Sequence, residues 1–409
     1  MTFDKLKSRK RETIETADEH NRSWEIKKLG ELCNIELGKT PYRKDKSFWD
    51  KEKQTENVWL SIADLLNVNG AVVSDSKEYI SDKATDISKV VRKGTLLVSF
   101  KLTLGRLAFA GRDLYTNEAI AALTIKNEKE IDKYFLHKYL SFFDWDKAAE
   151  GDVKVKGKTL NKSKLKEIEV QFPKSLPEQQ RIVSILDEAF AAIAKAKANA
   201  EQNLKNAKEL FESYLQGVFE KKGDGWEEQL FENCFKLKSG GNLTAKNMIE
   251  GEYPVFGGNG IAGYHNEYNL SGSNVIIGRV GALCGNVRHI NENIWLTDNA
   301  FKVVDFKFDF DHSFLTYLLN HKDLRSYARQ AAQPVISNSS LKDVVLFFPK
   351  SKTEQQTIVR QLDALRAETQ KLEAVYQKKI ADLEELKKSI LQKAFAGELT
   401  ESKIKEPCV

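Results

Sequence analysis

The feature that most constrains this chain is a stretch it contains twice. Phe172-Pro-Lys-Ser-Leu-Pro-Glu-Gln-Gln-Arg-Ile-Val-Ser-Ile-Leu-Asp187 returns as Phe348-Pro-Lys-Ser-Lys-Thr-Glu-Gln-Gln-Thr-Ile-Val-Arg-Gln-Leu-Asp363, displaced by 176 positions without a gap. The same offset carries Leu210 onto Leu386, Ser213 onto Ser389, Leu215 onto Leu391, Gln216 onto Gln392 and Phe219 onto Phe395. Self-similarity at a fixed period sets the architecture of everything between the copies.

Both copies read as long helices. In the first, Ile182, Leu186, Ala189, Ile193, Ala196, Ala200, Leu204, Ala207, Phe211, Tyr214 and Val218 step by threes and fours, a narrow apolar stripe of coiled-coil type. The second follows the same track through Ile358, Leu362, Leu365, Thr369, Leu372, Tyr376, Ile380, Leu383, Ile390 and Ala394, and Thr353-Glu-Gln-Gln356 fits a capping box at its start. At 1.5 Å per residue each helix is about 65 Å long. The alanines of the first stripe stand against the larger residues of the second, and small against large is how two unlike helices fill one seam. An antiparallel coiled coil between the two copies is therefore expected.

The repeat extends to the domains that precede the helices. Trp24-Glu-Ile-Lys-Lys-Leu-Gly-Glu-Leu-Cys33 recurs as Trp226-Glu-Glu-Gln-Leu-Phe-Glu-Asn-Cys234. Gly94-Thr-Leu-Leu-Val-Ser99 matches Gly272-Ser-Asn-Val-Ile-Ile-Gly278 in character, and Thr116-Asn-Glu-Ala-Ile-Ala121 matches Thr297-Asp-Asn-Ala-Phe-Lys302. These are short β-rich runs ended by turn residues. Helical patterns at 134–140 and 314–319 precede closing strands at 168–172 and 344–348. The fold class is α+β: two globular domains alternating with two long helices, related by a pseudo-two-fold axis. The expected boundaries are a charged arm 1–22, a first domain 23–175, a central helix 176–222, a second domain 223–351, a C-terminal helix 352–399 and a tail 400–409.

Composition narrows the function classes. No apolar run approaches the roughly 18 residues that span a bilayer, and the start leads into no apolar signal core. Cys33, Cys234, Cys284 and Cys408 lack the spacing of a zinc site or a disulfide scaffold, so a cytoplasmic location is expected. The formal net charge is only +5, distributed as +5 over 23–175 and −2 over 223–351, so a polyanion would meet local patches.

With these residues in place, the chain resembles the specificity subunit of type I restriction-modification systems. The resemblance runs from Trp24 to about Leu399 and rests on the two strand-Pro-x-x-x-x-Glu-Gln-Gln helix starts, the two Trp-Glu domain openings and the closing Gln392-Lys-Ala-Phe-Ala-Gly-Glu-Leu399. It implies that each of two target recognition domains reads one half of a split, asymmetric site in double-stranded DNA. The helices would set the spacer and dock two methyltransferase subunits, joined for cleavage by restriction and translocation subunits. S-adenosylmethionine, ATP and Mg would then belong to those partners, with no cofactor on this chain.

The residues agree with a non-catalytic part. There is no Pro-Pro for the catalytic turn of an amino-methyltransferase, and Gly38-Lys-Thr40 lacks the upstream glycine that a phosphate loop needs. The six histidines show no close metal spacing. Two rival readings are a two-domain protein-binding tether and a self-contained methyltransferase or nuclease.

Candidate DNA contacts follow from side-chain chemistry. Lys154, Lys156, Lys158, Lys162, Lys164 and Lys166 crowd the stretch before the first closing strand, with Asn161 among them, and suit phosphates. Arg pairs with guanine and Asn or Gln with adenine. The candidates are Lys39, Arg43, Lys101 and Arg106 in the first domain, and Asn242, Lys246, Asn259, His265, Arg279 and Asn338 in the second. Phe219 and Phe395, one position off the stripe and equivalent in the repeat, are the expected partner contacts.

Overall fold

The computed structural model describes residues 23–66, 71–150, 153–154, 157–158, 160–221, 223, 225–329 and 334–399. The expected arm 1–22 and tail 400–409 lie outside them. The chain divides into two compact units, whose described residues fall within Met1–Ala196 with Asp382–Val409, and within Lys197–Ala381. The long helices, Leu176–Glu220 and Lys352–Phe395, each contribute a segment to both units. The second begins at Lys352, so Thr353 falls inside its first turn and the expected capping box does not mark the start.

In the first unit the opening strand Trp24–Lys28 pairs antiparallel with the closing strand Glu169–Pro173, Trp24 opposite Pro173. The main sheet runs in the order Cys33–Leu37, Ile120–Ile125, Leu96–Ser99, Leu107–Ala110, Val72–Val73. A smaller sheet holds Glu78–Tyr79, Val58–Leu60 and Tyr115–Thr116, the last two parallel. The second unit repeats this plan. Trp226–Leu230 pairs with Val345–Pro349, Trp226 opposite Pro349. Its main sheet runs Lys236–Ser239, Ala300–Val304, Asn274–Gly278, Val287–Ile290, and its smaller one Gly260–His265, Tyr253–Gly257, Trp295–Leu296, again with one parallel pair.

Alternation along the middle strand explains why both main sheets are covered on both faces. Leu96 and Val98 point into a core shared with Phe135, Leu136 and Leu140 of the helix Lys133–Phe142, while Leu97 points into a second core with Val58 and Leu60. In the other unit Val275 and Ile277 face the helix His312–His321, and Ile276 faces Phe256 and Leu296. Both helices start at an Asp whose side chain accepts first-turn N–H groups: Asp132 from Tyr134 and Phe135, Asp311 from Phe314.

The long-helix segments complete each core. In the first unit Ile182 and Leu186 share the core with Leu391, Ala394 and Phe395. In the second, Phe211, Leu215 and Phe219 share it with Ile358 and Leu362. Within each unit the two segments run antiparallel: the Tyr214 hydroxyl lies 3.4 Å from Gln361 Oε1, whereas Phe211 lies under Arg366, further along the second helix. Ala200, Ala207 and Thr369 are buried as the stripe requires, but Leu372 is 41% exposed, because a seam offering mainly methyl groups on one side covers long side chains incompletely.

Candidate nucleic-acid interface

Four backbone segments meet at one edge of the first unit. The Lys39 N–H donates to Thr116 O at 2.8 Å, Phe100 N–H to Ala119 O at 3.0 Å, and Leu160 N–H to Phe100 O at 2.9 Å. The loop 100–106, the turn 116–119, the residues after Cys33–Leu37 and the stretch from Leu160 onward are thereby held together. The second unit repeats the bonds: Gly241 to Leu296 at 2.9 Å, Arg279 to Asn299 at 2.9 Å, and Ile336 to Arg279 at 2.9 Å. The register pairs Lys39 with Gly241, Thr40 with Asn242, Phe100 with Arg279, Glu118 with Asp298, Asn161 with Ser337 and Lys162 with Asn338.

The first-unit candidates gather at or beside this edge. Lys39 and Arg106 are exposed. The Lys101 ammonium lies 5.3 Å from the Phe100 ring centroid, and Gly105, at φ +73, rests on the Trp145 indole where no Cβ would fit. Asn161 caps the short helix Lys162–Lys166 by accepting the Lys164 N–H at 2.8 Å, which occupies the side-chain oxygen locally. Lys162, the first helical residue, is exposed. Lys154 and Lys158 lie in a two-stranded ribbon, Val153–Lys154 with Gly157–Lys158, and Lys156 lies outside the described residues.

Arg43 does not stand free as a base reader. Its guanidinium stacks 4.1 Å from the centroid of Trp49 and 4.6 Å from that of Trp59, and both Nη atoms donate to the Glu78 carboxylate, Nη2 at 3.1 Å. The fork that would grip guanine is already filled by a carboxylate.

Three second-unit candidates have partners within the fold: His265 is buried, Arg279 half-buried and Asn259 exposed. His265 is 5% exposed, takes the Ile249 N–H on Nδ1 at 3.0 Å and meets Trp295 edge-on at 5.1 Å. Arg279 occupies the site of the fully buried Phe100. Its guanidinium lies 5.2 Å from the Phe301 ring centroid, with Nη1 donating to Asp298 O at 3.3 Å, and its buried Nε has no partner among the described residues. Asn259 Oδ1 accepts the Leu283 N–H at 2.9 Å, clamping the loop that follows Asn274–Gly278. Asn242 and Lys246 are exposed, and exposed Asn338 reaches Leu237 O at 3.4 Å.

Phe219 and Phe395 are not surface contacts. They are 5% and 6% exposed and make matching aromatic clamps. Phe395 lies 5.7 Å from Phe135 and stacks on Phe142 at 5.7 Å; Phe219 lies 5.7 Å from Phe314 and stacks on His321 at 5.0 Å. One step off the seam on a helix points a side chain to the flanking domain, so these rings fasten each unit's helix pair to its own sheet domain.

Residue-type reasoning passed over Glu118, which sits among the basic side chains of the edge with its Oε2 taking a hydrogen bond from the Thr40 hydroxyl. Partial burial works to raise its pKa. The Thr40 bond, its own backbone N–H and the nearby Lys101 and Arg43 charges outweigh that and hold it below the usual range. The sequence match of Thr116-Asn-Glu with Thr297-Asp-Asn sets Glu118 against Asn299; the backbone hydrogen bonds shift the pairing by one residue and set it against Asp298.

Among the described residues no group of three His, Cys, Asp or Glu could hold a metal. Burial pushes the thiols of Cys33 and Cys234 up to about 12, which leaves them protonated and inert as nucleophiles. Among the described residues no helix is long and apolar enough to cross a membrane.

Comparison with known proteins decides the family. The model for the type I restriction modification DNA specificity domain matches residues 21–205 and again 224–383, once for each half of the repeat. The chain belongs to this family. It is similar to the type I restriction enzyme EcoprrI specificity subunit of Escherichia coli, 28% identical over 337 residues that cover 78% of this chain and 82% of that one. It is also similar to the MjaIX specificity subunit of Methanocaldococcus jannaschii, 26% identical over 56% of this chain and 55% of the other. A chain solved in work on complex assembly and conformational transition of the type I R-M system shares the fold, with a TM-score of 0.74 at 17% identity over 92% of this chain and 98% of that one. In this specificity family the chain has two recognition domains, one in each half of the repeat.

Proposed function

We propose that this specificity subunit reads a split DNA site, one half with each recognition domain, and leaves the chemistry to partners. The observation that carries the reading is the repetition of one edge. Both units bring the same four backbone segments together through equivalent hydrogen bonds, while the side chains there differ: Lys39 against Gly241, Thr40 against Asn242, Lys162 against Asn338. A constant frame holding different polar side chains suits two readers of different base sequences, since base-edge contacts specify and phosphate contacts position.

The long helices then serve as spacer and dock. A repeated helix offers two equivalent surfaces, which suits two copies of one partner, the methyltransferase subunit. Restriction and translocation subunits join the assembly for cleavage. S-adenosylmethionine is the methyl donor and ATP with Mg drives translocation, all on the partners, and the chain itself transfers nothing.

The test is co-purification with the cognate methyltransferase subunit, followed by sequencing of modified bases in cells that express both. A motif of two constant blocks with a fixed unread gap is expected, and removing four residues from each long helix should shorten that gap. Formation of the complex without any new modified motif would sink the recognition role. Absence of a complex would favour the tether, and methyl transfer by the isolated chain would make it an enzyme in its own right.

A further inference from the structure

Glu118 is out of place on a surface built for a polyanion. A carboxylate near Lys101 and Arg43, on the edge that also carries Lys39 and Arg106, repels phosphates and weakens the attraction that those cations supply. Balance against the neighbouring lysines does not account for it. In the second unit Lys39 becomes Gly241 and Lys101 becomes Val280, yet the acid persists as Asp298 at the same turn position, where the Arg279 guanidinium donates to its backbone carbonyl rather than to its carboxylate. Core packing does not account for it either, because Glu118 is exposed and joins no core, and the side chain is tied to the fold through the Thr40 hydroxyl.

What the position does offer is a fixed, ionised acceptor. The Thr40 hydroxyl holds Oε2, and the carboxylate keeps further lone pairs for a ligand. In a DNA groove the donors that such a group can take are the exocyclic amino groups of the bases, cytosine N4 above all and adenine N6 next.

We propose that Glu118 is a specificity-determining residue whose carboxylate accepts a hydrogen bond from the exocyclic amino group of a base, and that Asp298 does the same for the other half of the site. The inference rests on the DNA-specificity reading above. It adds which residue reads and which chemical feature of the base is read. The negative charge costs general affinity and is repaid only where an amino group stands opposite, so it discriminates more than it binds.

The test is selection from a duplex DNA library randomised across the site, using the full chain co-expressed with its methyltransferase subunit. The wild type should enrich a two-block motif. Glu118→Ala should relax one base pair in one block, with discrimination falling on the order of ten- to a hundredfold, while the other block is unchanged. Asp298→Ala should relax one base pair in the other block. Glu118→Gln, which tests the charge with little change of shape, should move the preference at that base pair towards adenine, whose N6 and N7 match a carboxamide. Whether cytosine or adenine stands at the relaxed position in the wild-type motif tells the two amino groups apart. A motif that survives Glu118→Ala and Glu118→Gln unchanged overturns the inference while the split-site reading stands. A wild type that enriches no motif overturns both.

Discussion

Gln179 Oε1 accepts the backbone N–H of Asp132 at 2.7 Å, and its Nε2 donates to the carbonyls of Glu130 and Pro173 at 2.9 and 2.7 Å. Gln355 repeats the arrangement, accepting from Asp311 N–H at 2.8 Å and donating to Pro349 O at 2.9 Å. Both amides are almost fully buried, at 0% and 1% exposure. The middle residue of each Glu-Gln-Gln motif therefore ties three things: the end of the closing strand, the start of the long helix, and the Asp that caps the domain's own helix. A few residues further along, Asp187 pairs with Lys138 and Asp363 takes the Tyr317 hydroxyl at 2.6 Å, so the same helix is gripped again.

Replacing Gln179 by Leu keeps the volume and strands one N–H and two carbonyls in the core. The expected loss is about 3 kcal/mol, since an orphaned buried polar group costs roughly 1–3 kcal/mol and some relaxation is available. Gln180→Ala, on the exposed neighbour, should stay within about 0.5 kcal/mol. Denaturant midpoints of the two variants decide it. Equal midpoints would show that the buried amide is not the tie.

The aromatic clamps give a second expectation. Phe395→Ala and Phe219→Ala should each cost about 3–5 kcal/mol through the cavity they leave. The damage should also be local. Amide exchange should quicken in Lys133–Phe142 for the first variant and in His312–His321 for the second. Variants that bind a partner poorly yet keep full stability and protection would return these rings to the surface role expected from sequence.

The unequal fate of the expectations has a physical cause. The long helices and their common period were legible because a narrow apolar stripe is a local, repeated signal. The shared sheet plan could be read only as short matching runs, since strand order depends on partners far along the chain. The site was least legible. Arg43 looked like a free guanidinium because Glu78 stands 35 residues away and Trp59 sixteen, and no local pattern joins them. His265 and Arg279 lie in glycine-rich stretches that resemble open loops, and only the tertiary fold lays Trp295 and Phe301 against them. Glu118 lies in a matched motif whose sequence alignment is one residue out of step with the structural register, and its charge is opposite to what phosphate contacts need.

Acid should loosen the chain above the usual carboxylate range. His137 is lowered to about 4, first by burial, then by Lys138, with Asp187 opposing. His312 and His321 are lowered too, each chiefly by burial. Lys352 and His289 add to the shift at His312, and Lys322 adds to it at His321. Asp311 opposes the first of these, and Glu220 with Glu212 the second. A folded pKa below the unfolded value of 6.5 means the unfolded chain takes up the proton first. The stability these neutral imidazoles allow is complete above pH 6.5 and is lost progressively as pH falls towards about 4. Midpoints should begin to drop by about pH 6, less so in His137→Phe, which packs on Phe109 as the imidazole does. A level midpoint down to about pH 5 would count against buried neutral histidines.

The lysine-rich stretch separates affinity from specificity. If Lys154, Lys156 and Lys158 neutralise phosphates, changing all three to Ala removes counterion release and not base recognition. The slope of log affinity against log salt should then fall by up to about 0.9 for each phosphate no longer neutralised, with the selected motif unchanged. The asymmetry between the halves sharpens the expectation. The stretch 333–342 of the second half, Gln-Pro-Val-Ile-Ser-Asn-Ser-Ser-Leu-Lys, carries a single lysine, so Lys342→Ala can remove at most one phosphate's share of the slope. A triple variant with an unchanged slope and an altered motif would mean that these lysines read bases, and the division of labour between ribbon and edge would have to be reversed.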